Sequence, residues 1–141
     1  MSADRAPRFF SFDERELIAR TCEAAPHEAC GLIFAARDAT WPHDSKTFVA
    51  SQTHNANREP ERGFSIDPLD WLSHEEAAAR LGLEVRGFWH SHPNSSPALS
   101  MADAQTIAGL GPAACRWIFA IVGLGPGGRL VLEVHESLAA S

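Results

Sequence analysis

Cysteine is scarce in these 141 residues, and Cys22, Cys30 and Cys115 make neither a C-x-x-C pair nor an even disulfide set. A disulfide framework is therefore not expected, and the thiols suit a reducing compartment where they act as small hydrophobes. Long apolar runs are missing as well. No segment approaches the roughly 20 residues that span a bilayer, and the opening MSADRAPRFF lacks the apolar stretch of a signal peptide. A cytoplasmic location is the expectation. Positive charge is also in deficit: 12 Lys and Arg against 18 Asp and Glu leave a formal charge of −6. Nucleic acid and membrane are thus disfavoured as partners, since phosphates and anionic lipid are met by basic surfaces. Internal repeats, linkers and low-complexity segments are absent.

What is present suffices for a packed core. Hydrophobic residues make up 45% and charged residues 21%, ordinary globular usage, and the length predicts a single domain over residues 1–141. Residues 1–10 read as a lead-in. Ser11 and Glu14 have capping-box spacing for a first helix that Pro26 closes. The short apolar run Ala29 to Ala36 reads as a buried strand with Glu28 at its entrance, and a second strand is expected at about Lys46 to Gln52. The polar stretch Thr53 to Gly63 reads as an exposed loop. A second helix follows, capped by Asp67, with Pro68 in its first turn and Gly82 at its exit. Leu83 to Ser91 alternates imperfectly as a strand. Ser100 and Asp103 mark the start of a third helix, to about Gly109, and Arg116–Gly123 with Arg129–His135 form a terminal hairpin. The alternation predicts an α/β or mixed α+β class, one sheet covered by helices.

Chemistry concentrates in Gly87-Phe-Trp-His-Ser-His-Pro93, because histidines at i and i+2 on a strand point to one face and can share an ion. A catalytic zinc usually takes three protein ligands and keeps an open fourth position. Asp103 is the natural third candidate, since a loop containing Pro93 and Pro97 can fold the next helix start back beside the strand end. Each piece has a plain alternative: the histidines as an ordinary hydrogen-bonded pair, Ser100 and Asp103 as a helix cap, Glu28 as a charged residue before a strand. Competing metal motifs fail on inspection. His27-Glu28 and His74-Glu75 begin H-E-x-x-H, but Gly31 and Ala78 stand where the second histidine belongs. Asn94 and Ser95 break an H-x-H-x-D-H pattern, and the P-C-x-x-C of zinc deaminases is missing. Gly123 to Gly128 satisfies G-x-G-x-x-G literally, yet a strand-like segment follows where a dinucleotide site needs a helix.

His90-Ser91-His92, seven residues, Ser100, two residues and Asp103 reproduce the H-[S/T]-H-x7-S-x2-D signature. In this the sequence resembles the JAMM, or MPN+ (Mov34/MPN/PAD-1), zinc metallo-isopeptidases. Pro26-His-Glu-Ala-Cys-Gly-Leu32 is similar to the family's glutamate segment, and Asn55 to Pro68, with Phe64-Ser-Ile-Asp-Pro68, to its prokaryotic members. The resemblance implies a curved mixed β-sheet flanked by helices, of cytidine-deaminase-like architecture. It also implies one zinc ion with a bound water, held by His90, His92 and Asp103. Glu28 would take the water's proton and deliver it to the leaving amine, and Ser100 would stabilise the oxyanion, cap the helix, or do both. Protonated imidazole cannot ligate, so activity is expected to fall as pH drops through histidine titration.

The chain looks like the compact prokaryotic branch, similar to CysO-cysteine-hydrolase-like peptidases. The partner implied is the C-terminal Gly-Gly-type tail of a ubiquitin-like or sulfur-carrier protein, lying extended along a sheet edge, and a homodimer fits family habit. Trp89 departs from the tyrosine of many relatives; as an outward neighbour of the ligand strand it is expected to alter the substrate groove rather than ligation. Two rival readings stand beside this one. They are a non-catalytic scaffold module of the same fold and a metallohydrolase of a small amide.

Overall fold

Short apolar segments pair as strands to organise the chain, and a computed structural model describes residues 6–136. The elements run β1 (Phe9–Ser11), α1 (Glu14–Ala24), β2 (Cys30–Ala36), β3 (Val49–Thr53), α2 (Pro68–Ala79), β4 (Leu83–His92), α3 (Met101–Leu110), β5 (Ile118–Leu124) and β6 (Leu130–Glu136). They form one six-stranded sheet in the order β1-β3-β2-β4-β5-β6. Among the described residues only β4 and β5 pair in parallel; every other neighbouring pair is antiparallel. This is the mixed α/β class expected from the alternation of elements.

Each face of the sheet has its own core. Leu17 of α1 packs with Ile33, Ala50, Trp89, Ala120 and Val122 on one face. On the other, Ala78 of α2 packs with Leu32, Phe34, Val85, Phe88 and Phe119. The imperfect alternation of β4 has a structural cause. The β2–β4 register shifts between Ile33 and Phe34, whose partners are Gly87 and Val85, so Arg86 is the extra residue of a bulge. Gly87 sits there at φ 147, which a side chain would strain. The bulge lets Val85 and Phe88, three positions apart, share a face; the strict alternation that resumes at Phe88 then sends His90 and His92 to that same face and Trp89 and Ser91 to the opposite one.

Three expectations are corrected. The cap of α1 is Asp13, whose carboxylate accepts from the Glu16 N–H at 2.9 Å, while Ser11 belongs to β1. Phe9 and Phe10 pair with Ser51 and Ala50, so the supposed lead-in contains a strand; its first five residues lie outside the described ones. The second strand begins only at Val49, because Ser45–Thr47 forms a 3-10 turn. Among the described residues no helix is long and apolar enough to cross a membrane.

Close approach of β2 and β3 is possible only because position 31 carries no side chain. A Cβ on Gly31 would collide with the Ser51 carbonyl oxygen and come within 2.6 Å of Trp89 Nε1, which donates to that same oxygen at 3.0 Å. Gly31→Ala is therefore expected to cost about 3 kcal/mol of stability, as overpacking does. A urea midpoint unchanged from wild type would show that the strands can spread at no cost.

Candidate metal centre

The site forms where β4 ends. His90 and His92 project from its last three residues, and α3 begins close by with Ser100 as its N-cap. Ser100 Oγ accepts from the Asp103 N–H at 3.0 Å while Asp103 Oδ2 accepts from the Ser100 N–H at 2.9 Å, a complete capping box. That exchange fixes Asp103 in the first turn with its carboxylate facing the histidines. Asp103 Oδ1 lies 3.2 Å from His90 Nε2 and Oδ2 lies 3.6 Å from His92 Nε2. Glu28, two residues before the start of β2, places Oε1 3.3 Å from His90 Nδ1. Glu28, His90 and His92 each offer a ligand atom within 4.8 Å of the others. All four side chains therefore meet in space, although the sequence separates Glu28 from His90 widely.

Electrostatics here favour bound positive charge. Burial alone would depress the His90 pKa, but the carboxylates of Asp103 and Glu28 outweigh it and the pKa is raised. His92 is raised by its bond to Asp103, against the opposing effect of burial. Burial works against ionisation of Asp103 too, yet the two imidazoles hold its carboxyl far below the usual carboxylate range. The tautomers are arranged for ligation. His92 Nδ1 bonds the Ser96 carbonyl at 2.8 Å, which leaves Nε2 a lone pair directed at Asp103. His90 Nδ1 is buried without a well-formed hydrogen bond, because Glu28 lies at bonding distance but off bonding geometry. Two imidazoles, one of them with an orphaned buried nitrogen, and two carboxylates form a donor set that fits a divalent transition metal.

Several parts of the site had weak or no signals in the sequence. Phe64 stacks on the His90 ring, centroids 4.3 Å apart and planes 21° from parallel. Ser91, fully buried on the opposite face, accepts from the Ala29 N–H at 2.8 Å and donates its own N–H to the Ala29 carbonyl. It clamps the start of β2, and Glu28 with it, to the histidine strand; its position between two same-face histidines already sends it to the other side. Trp89 corrects an expectation: it is wholly buried in the α1-side core and does not line the groove.

A groove of about 450 Å³ opens over the cluster, lined among others by Arg62, Gly63 and Phe64 on one side and Ser100, Ala102 and Thr106 on the other. The expected docking along a sheet edge is not met. The edges are β1 and β6, whereas β4 is flanked by β2 and β5. The groove's borders are instead the loop segment 62–64 and the first turns of α3.

A mixed sheet between helices, with histidines and carboxylates gathered at one strand end, defines the class of protein. The family model for prokaryotic homologs of the JAB domain matches residues 13–133, and the chain belongs to that family. A desampylase of Haloferax volcanii is 33% identical over 81 residues, a match covering 57% of this chain and 54% of that protein. The chain thus spans about half the length of this relative. A solution structure of a protein from Desulfitobacterium hafniense shares the fold, with a TM-score of 0.60 and 22% identity, over 86% of this chain and 84% of that one.

Proposed function

We propose that this chain is a single-domain zinc-dependent hydrolase. Its reaction would be cleavage of a peptide or isopeptide bond after the Gly-Gly-type C-terminal tail of a ubiquitin-like or sulfur-carrier protein. The observation that carries the reading is the meeting of Glu28, His90, His92 and Asp103 under an open groove. Membership of the JAB family and the desampylase among its relatives support it. The free, exposed Cys22 suits a reducing compartment such as the cytoplasm.

His90, His92 and Asp103 would hold the ion. Zinc, when bound, polarises the scissile carbonyl and brings the pKa of water towards roughly 7. Glu28 accepts a proton as the water oxygen attacks the carbonyl carbon, and returns it to the amine nitrogen as the C–N bond breaks. Ser100 Oγ accepts from the Asp103 N–H through one lone pair, so its own hydrogen remains free to meet the oxygen that gains charge. The groove between segment 62–64 and the first turns of α3 is the place proposed for an extended glycine tail.

The test is a sulfur carrier bearing one added C-terminal residue, run beside an isopeptide conjugate and short amides and followed by mass spectrometry. Trimming of the carrier or release from the conjugate is expected. Zinc-loaded protein that leaves both intact would overturn the reading. Ser100→Ala separates two roles. It is expected to lower stability by about 1 kcal/mol through the lost cap and kcat by about a hundredfold through the lost donor. A stability loss with kcat unchanged would restrict Ser100 to capping.

A further inference from the structure

Glu28 is not held by the sheet in the ordinary way. Its N–H donates to the Pro60 carbonyl at 2.7 Å and its own carbonyl accepts from Asn55 Nδ2 at 2.9 Å. Both main-chain groups of the proposed base are therefore bonded by the loop of residues 54–67, whose first part reads in the sequence as an exposed polar stretch. Asn55 is the centre of that loop. Nδ2 also donates to the Gly63 carbonyl at 3.0 Å, and Oδ1 accepts from the N–H groups of Asn57 at 3.0 Å and Ser65 at 3.1 Å. Two donors and two acceptor sites are all an amide side chain has, and here all four are used. The partners also fix its orientation: those at Nδ2, including a longer contact to the Pro60 carbonyl at 3.5 Å, are all carbonyls, and both at Oδ1 are N–H groups.

The same loop carries Phe64, whose ring covers His90. Main-chain bonding from Ala56 N–H to the Ser65 carbonyl at 2.8 Å closes it on itself, so Gly63, Phe64 and Ser65 move with Asn55. One amide thus ties the strand entrance that presents Glu28 to the segment that packs on a histidine. Neither aspartate nor alanine can replace it. An aspartate would aim a carboxylate at two carbonyl oxygens, and an alanine would leave four main-chain groups without this partner.

We propose that Asn55 is a positioning residue that sets Glu28 and the Phe64-bearing wall of the groove relative to the histidines. The inference deepens the hydrolase reading and rests on it for its kinetic part. A misplacement of the base on the order of 1 Å is enough to cost about a hundredfold in rate. The ion is held by side chains outside the loop, so metal content is unaffected.

The experiment compares wild type, Asn55→Asp and, as a control in the same loop, Glu61→Ala, which alters an exposed residue. Measured are zinc per chain, melting temperature, kcat and KM on the tailed carrier, and exchange of the Glu28 amide by NMR. For Asn55→Asp we expect full zinc content, kcat down about a hundredfold with KM changed less than kcat, and loss of protection at the Glu28 amide while the core strand amides of β2 and β4 stay protected. Glu61→Ala should match wild type in every measurement. Should Asn55→Asp fail to fold, Asn55→Ser, which retains one donor and one acceptor, carries the same comparison. A variant with wild-type kcat and a protected Glu28 amide overturns the proposal, as does a loss confined to melting temperature. If no protein in the set cleaves the carrier, the hydrolase reading fails, and the exchange data alone decide whether Asn55 holds Glu28.

Discussion

Replacing Glu28 with glutamine is expected to cut turnover of a tailed carrier by about a thousandfold, the middle of the range for a general base, with zinc content and fold retained. Glutamine has the shape of the carboxylate and can still hydrogen-bond, but it cannot take a proton from water at neutral pH. The geometry gives this substitution a second use. Glu28 and the two histidines lie within 4.8 Å of one another, a spacing that would also serve a ligand. Glu28→Gln that keeps zinc and loses turnover marks the residue as the base; loss of both marks it as a ligand; loss of neither removes it from the mechanism. Because the carboxylate is buried beside His90, alanine would open a hole there, so glutamine is the cleaner probe.

The other large effect concerns the ion itself. His92→Ala is expected to take zinc from about one per chain to none and turnover to background, since a site with three protein ligands holds metal poorly with two. His92 is the better target of the two histidines because it is less buried than His90 and its removal disturbs less packing. Elemental analysis of the purified chain and reactivation of chelator-stripped wild type by added zinc are the measurements. Wild-type activity with no metal bound would overturn the ligand assignment. Acidification should mimic the substitution. Both imidazoles must be neutral to ligate, and the neighbouring carboxylates raise both pKa values, so protons begin to compete with zinc above the usual histidine value of about 6.5 and displace it as pH falls further.

Much of this molecule could be read from the chain, for physical reasons that differ by region. The H-S-H spacing works because strand geometry admits only one outcome: residues two apart share a face, and β4 puts both rings on the α2 side. Asp103 was legible because a capping box is a local structure, complete within four residues. Where local rules compete, reading fails. Ser11 and Asp13 both offer a cap oxygen, and Asp13 prevails because Phe9 to Ser11 is drawn into pairing with β3, a contact some 40 residues away that no local pattern records. Trp89 is misread for a similar reason: only the sheet order shows that its face lies under α1 and that the Ser51 carbonyl awaits its N–H. The loop around Asn55 is least legible of all. Its residue types announce turns, as Asn-x-Asn does, but the partners of that amide include the Glu28 carbonyl, a link set by the folded sheet alone.

The parallel pairing of β4 with β5 has an implication for how this scaffold tolerates change. Parallel neighbours cannot be joined by a tight turn, so the chain must cross over, and α3 rides on that crossover. The stretch after His92 is anchored along its way, with Ser95 O bonded to the Leu124 N–H at 2.7 Å and Pro97 O to His135 at 3.2 Å. It behaves as a ruler rather than a tether. One residue inserted between Pro93 and Leu99 would rotate or shift Asp103 away from the imidazoles, whereas residues added at the Gly125–Gly128 tip, where β5 turns into β6, would merely lengthen a ribbon. Sites for grafting a label or a recognition module therefore lie at that tip, and the crossover is where length must be left alone.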